Sequence, residues 1–374
     1  MGKTDKLADE VRFGLEEALP GMRKTILKKL PLAVAAMIQA RTPNTMELST
    51  LLALNTERAD MREQWLRRLL TNRLIRSAGV LEPFARRALE QATAGGQTIL
   101  LSMDQTDLGD RFAVLMISVR RGDRSLPLVW RIEEGEANIG FAGQQVLLEE
   151  VRAWLPAGAA VLLLADRFYP SVALFEWLLA TGWQYRLRLK GNLLVDVGCA
   201  GIGTTGELAA GVRERYEAKA RLFEAGIPMA IGVLHEPGHP EPWIIAMDCP
   251  PNRAAVRDYG ARWAIEPMFS DFKSRGFRLE DTKLEAPKRL DCLILIMALA
   301  RYWCVQAGQE DARCNPTATE IKPVSRPTPT IGVSAKPIAV PFPGSNAASA
   351  FSCDALPAHC LFPSSFRGPK HDRW

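Results

Sequence analysis

No stretch of eighteen uninterrupted apolar residues occurs in the 374-residue sequence, so no segment reads as a membrane span. The opening MGKTDKLADEVRFGLEE brings in acids before any apolar run, and no secretory signal is expected. Cys-x-x-Cys is also missing. The seven cysteines (Cys199, Cys249, Cys292, Cys304, Cys314, Cys353 and Cys360) are scattered and odd in number. That pattern argues against a zinc ribbon or a disulfide framework and suits a reducing, cytoplasmic setting. The phosphate loop G-x-x-x-x-G-K-[ST] is absent, which removes an ATP-driven reading. GIGTTG, residues 201–206, does satisfy G-x-G-x-x-G. Gly198, Cys199 and Ala200 separate it from the preceding apolar run, however, so no nucleotide cofactor is expected. His235 and His239 are spaced like a metal pair but sit among prolines and glycine without a third ligand nearby, and read as a loop.

What remains is an ordinary globular composition, 47% hydrophobic and 24% charged, long enough for two or three domains. The net charge of +5 and pI near 8.8 are compatible with nucleic acid. Residues 1–92 read as helical throughout, with apolar positions at helical spacing. Between them lie Lys24, Lys28, Lys29, Arg67, Arg68, Arg73 and Arg76. Two readings stand for this unit: a bundle with a solvated basic face, and a DNA-binding head.

From residue 93 the texture changes. Runs at 98–104, 111–119 and 125–132 read as strands, and GQQVLLEEVRAWL reads as a helix. The apolar strand AAVLLLAD ends at Asp166, and a helix (SVALFEWLLATG) and a strand (WQYRLRLKGN) follow it. Three strands, helix, strand, helix, strand is the order of an α/β, ribonuclease-H-like core, a mixed sheet flanked by helices. Residues 93–190 form that core in this reading, 191–250 an inserted β-rich subdomain, and 251–308 the closing helices. Residues 309–374, rich in Pro, Ser, Ala and Thr, read as a disordered tail or the product of a truncated or frame-shifted element.

The candidate chemistry lies in three acids and one stripe. Asp104, at the end of the first strand, and Asp166, at the end of the fourth, are each readable alone as a turn or cap residue. In a ribonuclease-H-like sheet those strands are neighbours, so both carboxylates would share one edge, and Glu266 from the last helix would complete a cluster. Three hard oxygen ligands suit Mg²⁺. Two such ions about 4 Å apart can align an in-line phosphoryl displacement. Like charges this close need cations. In DYGARWAIEPMFSDFKSRGF, residues 258–277, Tyr259, Arg262, Glu266 and Lys273 fall within a sector of about 60° on an α-helix. Such a stripe suits a polar, anionic partner. In WQYRLRLKGN, Arg186, Arg188 and Lys190 share one face of the strand, equally readable as a solvated edge or as a track for a DNA backbone.

Tyr259-x2-Arg262-x3-Glu266-x6-Lys273 resembles the Tyr-Arg-Glu-Lys signature of the bacterial DDE transposases of the insertion sequence four family. ILLSMDQT and LLLADRFYPSVALFEWLLATGWQYRLRLKGN resemble the regions of that family's two catalytic aspartates. The resemblance covers roughly residues 20–305. It implies Asp104, Asp166 and Glu266 as catalytic metal ligands for two Mg²⁺ ions (Mn²⁺ substituting), with Tyr259, Arg262 and Lys273 on DNA phosphates. It further implies cut-and-paste transposition through a hairpin intermediate and a homodimer pairing the inverted repeats of the element before joining target DNA. The setting would be the bacterial cytoplasm, at the nucleoid. Two departures stand out: Asp166 is followed by Arg167, Phe168 and Tyr169 where the family often has Arg-Gly-Phe, and Pro267 threatens a kink after Glu266. A catalytically dead DNA-binding remnant and a stand-alone ribonuclease-H-like nuclease are the alternatives.

Overall fold

The computed structural model describes residues 3–122, 124–136, 138–198, 201–236 and 240–315. They form two compact units, one from described residues 3–84 and 269–315, the other from 85–268.

The first unit is helical. It opens with α1 (Lys3–Ala18), α2 (Lys24–Ala40), α3 (Thr45–Thr50), α4 (Ala59–Leu70) and the start of α5 (Ser77–Ala92). Ile26, Leu30, Val34 and Met37 recur at helical spacing along α2 and are all buried. Lys24, Lys28 and Lys29 stay exposed on its other side.

The second unit is a mixed, mostly antiparallel sheet flanked by helices. Its elements are β1 (Ile99–Leu108), β2 (Phe112–Arg121), β3 (Arg124–Glu134), α6 (Phe141–Trp154), β4 (Val161–Ala165), α7 (Val172–Thr181) and β5 (Gln184–Arg188). Then follow β6 (Leu194–Asp196), β7 (Ile202–Thr204), α8 (Thr205–Ala209), β8 (Glu214–Leu222), β9 (Ile227–Leu234), β10 (Trp243–Met247) and α9 (Arg253–Asp258). A 3₁₀ segment, Tyr259–Ala264, leads into α10 (Ile265–Phe272). The ten strands run in the order β3-β2-β1-β4-β5-β10-β9-β8-β6-β7. β1 pairs in parallel with β4, and β4 with β5; the other pairings are antiparallel. All five residues of β4 are buried, as expected of an interior parallel strand covered on both faces. The strands of residues 191–250 continue this same sheet through β10, which pairs with β5. GIGTTG forms edge strand β7 and the start of α8, where Thr204 and Glu207 make a capping box. Gly206 is needed there because a Cβ would sit 2.7 Å from the Gly191 carbonyl.

α9 and the 3₁₀ segment lie against the sheet. Ala255, Val256 and Tyr259 pack with Leu234, Trp243 and Ile245, and Ala261 packs on Leu100, Leu162 and Leu164. Gly232 permits this approach, since a Cβ would meet Val256 at 2.3 Å. The last helix, α11 (Pro287–Cys314), returns to the helical unit. By length and composition it is apolar enough to cross a membrane, but 83% of its apolar window is buried within the protein. Ser77 Oγ donates to Asp291 at 2.7 Å and Lys288 Nζ to the Ile75 carbonyl at 3.2 Å, fixing the start of α11 in that unit. Residues 309–314 continue α11, whereas 316–374, the bulk of the expected tail, lie outside the described residues.

Candidate active site

β1 and β4 pair in parallel with Met103 opposite Ala165, so Asp104 and Asp166 occupy the next positions on neighbouring strands. Adjacent strands lie about 4.8 Å apart. The register therefore delivers two carboxylates side by side at the carboxyl end of β4. β1 continues beyond the end at Asp104 expected from the sequence, to Leu108, because it still pairs with β2 there.

Against β1 and β4 lie residues 259–264, and the 258–277 segment is not the continuous α-helix expected from its spacing. Residues 259–264 are 3₁₀, in which positions three apart eclipse, so Tyr259 and Arg262 fall on one side. α10 restarts at Ile265, which puts Pro267 in a first turn. An N–H there has no intrahelical acceptor, so the proline begins a helix instead of kinking one. Glu266 follows Arg262 by four residues and remains within its reach.

The result is one hydrogen-bonded group. Arg262 Nη1 donates to Asp104 Oδ2 at 2.9 Å, Nη2 to Glu266 Oε1 at 3.0 Å, and Nε to the Tyr259 hydroxyl at 3.0 Å. That hydroxyl donates to Asp166 Oδ1 at 3.2 Å. Tyr169 donates to Asp104 Oδ1 at 3.3 Å, and the Gln105 backbone N–H donates to the same oxygen at 3.0 Å. Arg262 is 7% exposed, so its charge faces the acids. Burial pushes the Asp104 carboxyl above its ordinary range, against the opposing pull of Arg262, and the charge of Asp166 pushes it further. Burial also raises the Tyr169 and Tyr259 phenols, which therefore act as neutral donors. For Arg262 burial disfavours the cation, but Tyr259, Asp104, Asp166 and Glu266 outweigh it and hold the guanidinium charged.

Among the described residues, no three Asp, Glu, His or Cys side chains are gathered closely enough to hold one metal ion. Arg262 stands among the three predicted acids instead. The donor chemistry of Asp104 and Asp166, adjacent hard carboxylates with one disfavoured as an anion, nonetheless fits a divalent cation.

Of the other predicted residues, Lys273 belongs to the helical unit, where it pairs with Glu280 at 3.2 Å. Arg186 is 4% exposed and bonds to Asp248 and the Ala255 carbonyl, with Asp258 3.6 Å away. It presents nothing to a DNA backbone, contrary to the alternating-face expectation, because β5 is an interior strand beneath α9. Arg188 pairs with Glu241 at 3.2 Å, and Lys190 is exposed. His235 lies at the end of β9 with its N–H on the Arg213 carbonyl; His239 lies outside the described residues. Sequence reasoning missed Tyr169 as a site residue. Its signal was the departure Asp-Arg-Phe-Tyr itself, a phenol three positions after the second aspartate.

No curated protein matches the chain. Residues 124–303, which include Asp166 and Glu266 but not Asp104, match the family described as the transposase DDE domain, and that match supports a DDE transposase.

Proposed function

We propose that this chain is a transposase of the insertion sequence four kind, cutting and joining DNA at the ends of its own element. The observation that carries the reading is the convergence of Asp104, Asp166 and Glu266 on the Arg262–Tyr259 pair. The strand order β3-β2-β1-β4-β5, three antiparallel strands followed by two parallel ones, supports a ribonuclease-H-like core. In this reading Asp104 and Asp166, completed by Glu266, hold two Mg²⁺ or Mn²⁺ ions, which when bound supply Lewis-acid activation for in-line phosphoryl transfer.

The chain's own groups prepare that site. Tyr169 and the Gln105 N–H fix one oxygen of Asp104, and Tyr259 fixes one of Asp166, so both carboxylates are oriented before substrate arrives. Arg262 balances their charge and, on release of Asp104, offers a planar fork to a scissile-strand phosphate. Arg188, Lys190 and Lys273 add cations for the backbone. The basic helices within residues 1–92 read the inverted repeats, and a homodimer pairs two ends.

The test is nicking and strand transfer on double-stranded DNA carrying the element's inverted repeats. Asp104→Asn, Asp166→Asn and Glu266→Gln should each abolish both reactions while retaining the gel shift. Wild-type cleavage by any of the three removes that residue from the triad.

A further inference from the structure

A cleft of about 740 Å³ in the sheet unit is lined by Arg167, Arg188, Arg213, His235 and Glu241, with small residues at the end of α8. Arg167 directly follows Asp166, so the cleft begins one peptide from the acid pair. The charge of Arg188 also acts on the Tyr259 phenol that holds Asp166. Glu241 is the one carboxylate among the described lining residues, and its side chain is 57% exposed. A single oxygen of it, Oε2, accepts from Arg167 Nη1 at 2.9 Å and from Arg188 Nη2 at 3.2 Å. One anionic oxygen shared by two guanidinium groups is also how arginines hold a phosphate. Arg213 is exposed, with no ion pair to any described residue. Phe168, 54% exposed, carries Arg167 on its ring at 5.9 Å and Lys190 at 5.1 Å. Cation–π contacts of this kind keep both charges at the rim.

We infer that this cleft is a phosphodiester-binding site for the DNA strand leading away from Asp104 and Asp166, and that Glu241 stands in for a phosphate until the strand displaces it. The inference rests on the transposase reading and deepens it by naming where the strand runs. Three guanidinium groups face one carboxylate, so the cleft holds an excess of positive charge. Exposed ion pairs contribute little, so exchanging Glu241 for a phosphate oxygen is easy. A phosphate also brings further acceptor oxygens, enough to engage Arg213 along with Arg167 and Arg188. The volume lies within the range of small-ligand clefts, about 300–1,000 Å³, which suits a short single strand.

The experiment measures anisotropy of a fluorescein-labelled single-stranded oligothymidylate with the full chain, in chelator, across a salt series. Glu241→Gln should bind it about three- to tenfold more tightly, because the internal competitor loses its charge. Arg213→Ala should bind at least about threefold more weakly and flatten the salt slope by about 0.7, the share of one single-strand phosphate. Both positions are exposed, so the variants should melt within about a degree of the parent. Unlabelled inorganic phosphate should compete only at far higher concentration. If it competes as well as the strand, the cleft is a free-phosphate site and the proposal fails. Unchanged affinity in Glu241→Gln or in Arg213→Ala overturns the cleft alone, whereas a wild-type chain that ignores all DNA overturns the transposase reading with it.

Discussion

Arg262 donates to Asp104 Oδ2 at 2.9 Å while the same guanidinium holds Glu266 at 3.0 Å, so one buried cation serves two of the three acids. A cation held in this position competes with metal and supports the fold at once. Arg262→Ala removes it and leaves Asp104 desolvated without its partner. The expected loss of stability is about 3 kcal/mol, the cost typical of breaking a buried pair from one side. The same variant should bind Mn²⁺ more tightly than the parent in the absence of DNA. Urea unfolding and the electron paramagnetic resonance of free Mn²⁺ measure the two effects. Arg262→Lys should fall between, since it keeps charge and loses the fork. Equal stability and equal Mn²⁺ affinity in Arg262→Ala would falsify the role given to Arg262.

The two phenols should not be equivalent. Tyr169 makes one hydrogen bond to Asp104, at a long 3.3 Å, so Tyr169→Phe should cost about 1 kcal/mol or less. Tyr259 both donates to Asp166 and accepts from Arg262, so Tyr259→Phe breaks two links and should cost about 1–3 kcal/mol. Single-turnover nicking should fall in the same order. A larger defect in Tyr169→Phe than in Tyr259→Phe overturns this ranking.

The legible parts of this site were those set by local pattern. The apolar runs before Asp104 and Asp166 mark two buried strands, and each run carries its acid at or next to its end. The adjacency of the two acids follows once those strands pair in parallel. The spacing Tyr259-x2-Arg262-x3-Glu266 was also readable, although the backbone reaches it by a 3₁₀ turn and a restarted helix. Pro267 hinted at that restart. The burial of Arg186 was not legible. It depends on β10 returning from some sixty residues downstream to pair with β5 and on α9 then covering the face. The inward turn of Arg262 was hidden for a related reason, since stripe geometry gives a direction around an axis and not which side meets the sheet.

Asp258 supplies a pH dependence apart from the acid cluster. It is 3% exposed, and both carboxylate oxygens lack hydrogen-bond partners among the described residues, with Arg186 3.6 Å away and Asp248 and Cys249 bonded to that same guanidinium. Burial pushes its pKa up to about 6, against the pull of Arg186. A carboxyl raised on folding binds its proton more tightly in the folded chain. Its contribution is therefore full below about pH 4 and is lost as pH rises through about 6. A shift of two units corresponds to about 3 kcal/mol. Asp258→Asn should flatten the stability profile across this window by up to about that amount, read by urea unfolding at several pH values. A profile parallel to the parent's assigns the dependence to another group.

The basic face of the first helices decides between a solvated bundle and a DNA-reading head. Deleting residues 1–92 is a poor test, because α11 packs against α2 and α4 in the helical unit and would lose its cover. Point changes avoid that. Lys28 and Lys29 are exposed on α2 and Arg68 on α4, whereas Arg67 is partly occupied by Glu63 at 2.8 Å. The double variant Lys28→Glu, Lys29→Glu should fold like the parent, because surface changes away from caps and cores stay within about 0.5 kcal/mol. If this face grips the element's end, duplex binding should weaken about tenfold or more. The salt slope should flatten by about 0.9 for each phosphate no longer gripped, and adding Arg68→Ala should flatten it by one more step of that size. Gel shifts at several salt concentrations, on end-bearing and random duplexes, read both quantities. Unchanged affinity and slope in the combined variant would leave this face to solvent and move end recognition to another part of the chain.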